Sequence, residues 1–225
     1  MGYEDFTTYT EVDPNSHISL TSTNINHIAW LNEDAYVYYD YGVAAFGDLY
    51  HEIEAMYVNN FGGSGYRKSF FWGLTNEVND GKYFFDNDKD CIFASYTRRT
   101  NGTEMFHLQA QDGSTYYDDY YESPDLDVWY YFTIERNGST ATLKIYSDSA
   151  RTVLVDTLTI TCPTTKFRYI YACNTWNRAY SVYQTVYIRN LNLFLPVPKK
   201  LVLKLGDTMG IALEDISKKD TVIMV

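Results

Sequence analysis

The amino-acid sequence predicts an all-β protein built from two stacked antiparallel sheets. Aromatic residues make up 17% of the 225 residues, with 23 Tyr and 12 Phe among them, and such side chains favour half-buried pleated surfaces over helices. Short runs rich in Tyr, Val, Ile, Phe and Thr alternate with turn-forming segments along most of the chain. No stretch keeps a helical period of apolar residues for three turns.

Ten of these runs are predicted strands, separated by breakers such as "NNFGGSGYR", "NEVNDGKYFFDNDKD" and "QDGS". About a dozen strands without helices indicate a sandwich of two antiparallel sheets of the jelly-roll type. The predicted strands are Tyr36–Tyr41, Leu49–Val58, Lys68–Leu74, Cys91–Thr97, Met105–Ala110, Trp129–Glu135, Thr140–Tyr146, Val153–Thr161, Lys166–Cys173 and Val182–Leu193.

One predicted hairpin can be described residue by residue. In "WYYFTIERNGSTATLKIYSD" the pair Asn137-Gly138 is a preferred centre for a two-residue turn with positive φ. Folding there makes one face of the strand pair apolar and the other polar or amphipathic. Because a slip of one residue would mix the faces, the pattern specifies the register. The predicted apolar pairs are Ile134 with Ala141, Phe132 with Leu143, and Tyr130 with Ile145.

The long strand at residues 48–58 shows the same alternation. We expect its His51, Ile53, Ala55 and Tyr57 to face the core, because side chains two apart lie on one face of a strand. The two glutamates between them, Glu52 and Glu54, are expected to face water.

The charge of the chain argues against several classes of partner. With 18 basic and 29 acidic side chains the net charge is −11, which predicts repulsion of nucleic acids and of anionic membrane surfaces. No apolar run reaches the roughly 18 residues of a membrane helix, and the N-terminus lacks the pattern of a signal peptide. We therefore expect no nucleic-acid partner, no membrane insertion and no export.

The odd number of cysteines predicts buried free thiols rather than a disulfide framework.

The hairpin strands resemble a known family. "WYYFTIERNG" followed by "LKIYSD", together with "AYVYYDYGVAAFGDLYHEIEAMY" and "VYIRNLNLF", is similar to the concanavalin A-like jelly roll of laminin-G and lectin/glucanase domains. The resemblance covers about residues 6–194 and implies a concanavalin A-like sandwich. It leaves activity open, because that fold hosts lectins, hydrolases and structural modules, so function must be argued from a site.

The chain changes character after residue 194. We predict a jelly-roll domain at 1–194, a linker at 195–200 stiffened by Pro196 and Pro198, and a β-hairpin at 201–225. A hairpin of this length cannot bury enough surface to fold alone. We therefore expect it to dock on another surface. The alternative is that it adds strands to its own jelly roll. Its predicted partner-binding residues are Leu203, Leu205, Met209, Ile211, Leu213 and Val222.

The C-terminal segment also resembles a known element. "GDTMGIALEDISKKDTVIMV" is similar to a hairpin of bacteriophage head-decoration and other capsid-associated proteins. The resemblance implies attachment to a capsid or other virion protein, or self-association.

Two acidic motifs are candidates for a catalytic or a metal site. "HEIEAM" resembles the catalytic strand of retaining glucanases, but Met56 stands where a further carboxylate is expected. "DNDKD" places Asp86, Asp88 and Asp90 at alternate positions, without the Gly and Glu that a hand-type calcium loop requires further on. We predict a solvated acidic turn there, no catalytic residue, no metal and no cofactor.

Aromatic residues beside amide and guanidinium donors suit the binding of sugars. The segment "CNTWNRAYS", expected to be a loop, offers such a set. Its predicted ligand-binding residues are Asn174, Trp176, Asn177 and Arg178. The alternative is that Trp176 only folds over the edge of the sandwich.

These observations favour a non-enzymatic protein of the virion surface, of the capsid-decoration or fibre type. The jelly roll would face outward, and many copies could turn weak contacts with host glycans into useful avidity. The alternatives are a free-standing carbohydrate-binding lectin and, less favoured, a glycoside hydrolase.

Overall fold

The computed structural model of the protein describes residues 2–29, 35–61, 66–177, 183–194, 202–203 and 223–224. The regular secondary structure of these residues is almost entirely β, which confirms the predicted fold class. The short helix α1, Gly81–Asp86, lies between β6 and β7, and no helix of the described ranges could cross a bilayer. The strands are β1 Thr10–Val12, β2 Ile18–Leu20, β3 Asn24–Ala29, β4 Tyr36–Asp40, β5 Leu49–Phe61, β6 Arg67–Thr75, β7 Cys91–Arg98, β8 Glu104–Asp112, β9 Thr115–Glu122, β10 Trp129–Asn137, β11 Thr140–Tyr146, β12 Leu154–Thr161, β13 Tyr169–Asn177, β14 Tyr183–Phe194, β15 Val202–Leu203 and β16 Ile223–Met224.

The strands form two seven-stranded antiparallel sheets that stack as a jelly-roll sandwich. Sheet A has the order β1-β4-β13-β6-β7-β8-β9, and sheet B has the order β12-β11-β10-β5-β14-β3-β2. The main core lies between them and includes Phe71, Phe106 and Phe132, whose rings contact one another. The predicted two-sheet sandwich is thereby confirmed.

Each of the ten predicted strands overlaps an observed one, but β1, β2, β3 and β9 were not predicted. Strand β9, "TYYDDYYE", contains Asp118 and Asp119, and aspartate is depleted in strands. Its pairing along the full length of β8 stabilises it despite that composition. Strands β1 and β2 have three residues each, which is too short for a clear alternation.

The predicted hairpin forms with a register shifted by two residues. Ile134 pairs with Leu143, and Phe132 pairs with Ile145, so the turn spans residues 137–140. Gly138 has a φ of 58° at the first central position, where a type II′ turn requires a positive value. A shift of two keeps every side chain on its predicted face; hence the faces were predicted correctly and the pairs were not.

The outward face of β5 differs from the prediction at one glutamate. His51, Ile53, Ala55 and Tyr57 are buried, as expected, but the side chain of Glu54 is buried as well. Arg189 on β14 donates from Nε to Glu54 Oε2 at 2.7 Å, and Glu54 is thus covered by its neighbour instead of facing water.

Residues 76–90, which the sequence marked only as a breaker, pack on the outer face of sheet A. Helix α1 begins at the N-cap Asp80, whose carboxylate accepts from the backbone N–H groups of Lys82 and Tyr83. Phe84 of the helix joins a second apolar cluster with Phe70 and Phe93. As a result, β6 and most of β7, β8 and β13 are buried on both faces.

The C-terminal segment is described only at its ends. Strands β15 and β16 pair in parallel, Val202 with Ile223 and Leu203 with Met224. The predicted partner-binding residues other than Leu203 lie outside the described residues, and docking through them stays a prediction. They are Leu205, Met209, Ile211, Leu213 and Val222.

Candidate functional site

A band of polar side chains crosses the outer face of sheet A from β6 to β9. Polar residues alternate with apolar ones along β7 and β8, and cross-strand partners share a face. The apolar residues that alternate with them, such as Tyr96 and Leu108, belong to the main core, so the polar ones point outward. We call this band the polar strip; its members are Lys68, Ser95, Thr97, His107, Gln109 and Asp118.

The strip is hydrogen-bonded from its first strand. Lys68 Nζ donates to Gln109 Oε1, which also accepts from the Tyr116 hydroxyl at 3.2 Å. Gln109 Nε2 donates to Ser95 Oγ at 2.9 Å. These contacts fix the orientation of the Gln109 amide, because its oxygen and nitrogen each have a defined role.

The chain of hydrogen bonds continues to a carboxylate. Ser95 Oγ lies 3.1 Å from Thr97 Oγ1, which lies 3.5 Å from His107 Nδ1, and His107 Nε2 lies 2.9 Å from Asp118 Oδ2. Every hydrogen bond in this chain is satisfied when each group donates to the next one, from the Gln109 amide to the Asp118 carboxylate. It requires a neutral His107 with its proton on Nε2.

The electrostatics of the strip agree with this assignment. Burial lowers the pKa of His107, and its hydrogen bond to Asp118 opposes that effect. The same hydrogen bond lowers the pKa of Asp118. Around neutral pH the pair therefore consists of a neutral imidazole and a carboxylate.

The end of the strip on β6 lies among aromatic rings. The ammonium of Lys68 is 5.0 Å from the ring centroid of Trp176, 5.1 Å from that of Phe85 and 5.5 Å from that of Tyr66. Lys68 is 2% exposed. This end is thus a closed support rather than a surface that a ligand could reach.

The exposed part of the strip lies on β9, at the edge of the sheet. Tyr116, Asp118 and Tyr120 occupy alternate positions on the outer face, and we call them the β9 platform. Tyr116 is 43% exposed and Tyr120 is 40% exposed, while the Asp118 side chain is 34% exposed. The guanidinium of Arg99 is 4.9 Å from the Tyr120 ring. The platform presents a fixed carboxylate between two aromatic rings.

The predicted ligand-binding residues are distributed differently from expectation. The segment expected as a loop is strand through residue 177, and Asn174 is buried, where its Oδ1 accepts from Gly81 N–H at 2.8 Å. Trp176 is 8% exposed and stacks near Phe85 at the closed end of the strip. The side chain of Asn177 and all of Arg178 lie outside the described residues. A ligand-binding role for this set stays a prediction.

The carboxylates of "HEIEAM" lie on the other sheet and are both paired with arginines. Glu54 contacts Arg189, as above, and Glu52 Oε2 lies 3.6 Å from Arg151 Nη1. Both face the outer side of sheet B, away from the polar strip.

The acidic turn at residues 86–90 is used for local structure. Asp90 accepts from Gly113 N–H at 3.0 Å and from the Thr165 hydroxyl at 2.9 Å, and Asp86 pairs with Lys82. Asp88 has a φ of 53°.

Within the described ranges, no group of three or more His, Cys, Asp or Glu side chains is arranged to hold a metal ion. The three cysteines, Cys91, Cys162 and Cys173, are free and buried.

Solved structures with the same architecture place the fold among lectin-type jelly rolls. A legume lectin-like domain from Entamoeba histolytica matches with a TM-score of 0.58 at 13% identity, over 88% of this chain and 97% of that one. A family 7 alginate lyase in complex with product matches at 0.51 and 11% identity, over 86% and 92% of the two chains. The exoplasmic/lumenal domain of VIP36 in its Ca2+/Man-bound form matches at 0.51 and 10% identity, over 84% and 85%. No protein-family model and no curated protein matches the sequence.

Proposed function

We propose that the protein binds a carbohydrate on the outer face of sheet A. The observation that carries the proposal is the β9 platform, where His107 fixes Asp118 between the exposed rings of Tyr116 and Tyr120. A sugar has apolar C–H faces that stack on aromatic rings, and hydroxyl groups that donate to a carboxylate. The platform offers both kinds of contact on one strand.

The buried part of the strip supports this role by pre-organisation. Since Asp118 is already oriented by the chain of hydrogen bonds, little side-chain freedom would be lost on binding. The fold is compatible with such a role, because VIP36, a structure of similar architecture, is seen in a Man-bound form. The net charge of −11 disfavours polyanionic glycans through repulsion.

A glycan array followed by calorimetry tests the proposal. We expect Tyr120→Ala to weaken binding about tenfold through loss of stacking, and Asp118→Asn to weaken it at least as much. The matched control is Tyr146→Ala, which truncates a tyrosine on the outer face of sheet B. Equal losses in the control, or no binding of any glycan by the wild type, would refute the site.

We propose further that the protein binds its ligand without chemical change. The arginine partners of Glu52 and Glu54 support binding over hydrolysis, since each carboxylate is already engaged. Incubation with the bound glycan should yield no new reducing ends and no unsaturated products. Turnover that Glu52→Gln or Glu54→Gln abolishes would instead favour a glycoside hydrolase.

We also propose that residues 201–225 attach the sandwich to a capsid protein or to further copies of itself, so that it is displayed on a virion surface. The alternating pattern of the segment and its resemblance to capsid-associated hairpins support this proposal, as does its small size.

Analytical ultracentrifugation tests attachment to further copies. The full chain should self-associate, whereas a chain ending at residue 194 should be monomeric and keep the same β-type circular dichroism. Co-sedimentation with assembled particles, lost on the same truncation, tests attachment to a capsid. A full chain that stays monomeric and joins no particle would favour a free-standing lectin.

A further inference from the structure

A buried guanidinium points between the two sheets at the start of β6. Arg67 is 0% exposed, and its register partner on β7 is Arg98. Arg98 lies two residues from Tyr96, which packs in the main core, and residues two apart share a face of a strand. Arg67 is therefore on the inner face, opposite to its neighbour Lys68 in the polar strip.

The donors around this guanidinium have no acceptor in the described part of the chain. Nε, Nη1 and Nη2 of Arg67 make no hydrogen bond there, and the hydroxyl hydrogens of Ser69 and Tyr57 have no acceptor there either. Ser69 follows Arg67 on the same face, and the Tyr57 ring stacks on Tyr96 with centroids 4.1 Å apart. Buried polar groups are almost always hydrogen-bonded in proteins. A set made mainly of donors requires an acceptor.

The charges at this end of the sandwich do not balance within the described ranges. Burial, and next the positive charge of Arg98, lower the pKa of Arg67 to about 10; Glu104 is the carboxylate that opposes this effect. Glu104 Oε1 lies 3.7 Å from Arg98 Nη1. Two guanidinium groups thus share one carboxylate, which leaves one positive charge in a desolvated place.

We propose that Arg67 holds a small monovalent anion between the sheets, either a halide or a carboxylate group, with the hydroxyls of Ser69 and Tyr57 as further donors. Such an anion accepts hydrogen bonds without donating any, and it supplies the missing negative charge. It would connect β5 of sheet B to β6 of sheet A. Because Lys68 directly follows Arg67, the bound anion would also hold the closed end of the polar strip in position.

Thermal unfolding of the full chain tests the proposal, with sodium chloride or sodium acetate replacing sodium methanesulfonate, which is neither a halide nor a carboxylate, at constant ionic strength. A specific site gives a saturable rise in Tm, on the order of 5 °C at 100 times the dissociation constant. A response to chloride alone identifies a halide site, and a response to acetate alone identifies a carboxylate site. Arg67→Met should abolish the rise, whereas the control Lys144→Met, on the outer face of sheet B, should keep it.

A direct measurement on the wild type remains informative if Arg67→Met does not fold. Crystals grown in sodium bromide should show an anomalous peak within hydrogen-bond distance of the Arg67 guanidinium when the site takes a halide. For a carboxylate site, crystals grown in acetate should show its density there. A Tm that is independent of both anions, with only water beside Arg67 in either crystal, would overturn the proposal.

Discussion

The outer faces of the two sheets have similar sequence patterns but different surroundings. Strand β11 in sheet B alternates as expected, with Leu143 and Ile145 buried and Lys144 and Tyr146 half-buried. Strand β7 in sheet A also alternates polar and apolar residues near its end, yet it is buried on both faces from Cys91 to Thr97. The difference arises because residues 76–90 and the rings around Lys68 cover sheet A. A polar face in a strand sequence therefore predicts which side chains point away from the main core. Whether those side chains are exposed to water depends on how the rest of the chain packs on that face.

Phe93 and Tyr146 give the largest contrast between the two faces. Phe93 is 0% exposed in the second apolar cluster, so Phe93→Ala should cost about 3–5 kcal/mol of unfolding free energy, as for phenylalanine in a core. Tyr146→Ala should cost less than about 1.5 kcal/mol, because its ring is only half-buried. Urea unfolding of both variants measures the contrast, and equal losses would show that the outer face of sheet A is not a second core.

The buried histidines give the second largest expected effect, which is on the pH dependence of stability. Burial lowers the pKa of His27, on β3 of sheet B, to about 3. Since this folded-state value lies below the unfolded value of about 6.5, the unfolded state takes up the proton first as the pH falls. Stability is therefore lost progressively between about pH 6.5 and pH 3, by about 2 kcal/mol at pH 5.

His27→Leu should remove this contribution, so that the variant loses about 2 kcal/mol less than the wild type between pH 7 and pH 5. His107→Leu should have a smaller effect on the pH dependence, since the hydrogen bond to Asp118 opposes the lowering of the His107 pKa. Denaturant unfolding at the two pH values is the measurement. A pH dependence unchanged by His27→Leu would contradict the assignment.

Glu54 and Glu52, two residues apart on the outer face of β5, give the smallest effect. Glu54 is buried against Arg189, whereas the side chain of Glu52 is 20% exposed and 3.6 Å from Arg151. We expect Glu54→Gln to cost about 1.5 kcal/mol, as for a hydrogen bond to a charged group, and Glu52→Gln at most about 0.5 kcal/mol. Thermal melts of both variants rank them; the reverse order would mean that the Arg189 pair contributes little.

The sequence allowed a good prediction of the strands and their faces, with informative errors. The register of the β10–β11 hairpin was wrong by two because the hydrophobic pattern has a period of two and cannot distinguish such shifts. The Gly138 turn, held by a hydrogen bond from its N–H to Asp48 at 2.7 Å, selects the observed register. Glu54 was expected in water because nothing near it in sequence indicates Arg189, which is 135 residues away.

The candidate site was harder to predict than the fold. The alternating polar residues of "SYT" and "HLQ" around Ser95 and His107 predict that these strands have one polar face. An ordinary solvent-exposed face has the same alternating pattern, so the sequence does not distinguish it from a buried polar strip. Asn174 and Trp176 of the predicted ligand-binding set lie on β13, and both are buried. The β9 platform was missed because "TYYDDYYE" was not predicted to be a strand, although its alternation of Tyr with Asp becomes clear once the strand is known.

The local pattern of residues is enough to predict where most strands run and which side chains point inward, because those properties depend on a period of two. Tertiary structure decided the rest: that β13 enters sheet A between β4 and β6, that residues 76–90 cover that sheet, and that Arg67 is enclosed between the sheets. These arrangements depend on pairings between segments far apart in the chain, whose energies come from mutual packing and loop closure. The local sequence pattern therefore does not predict them.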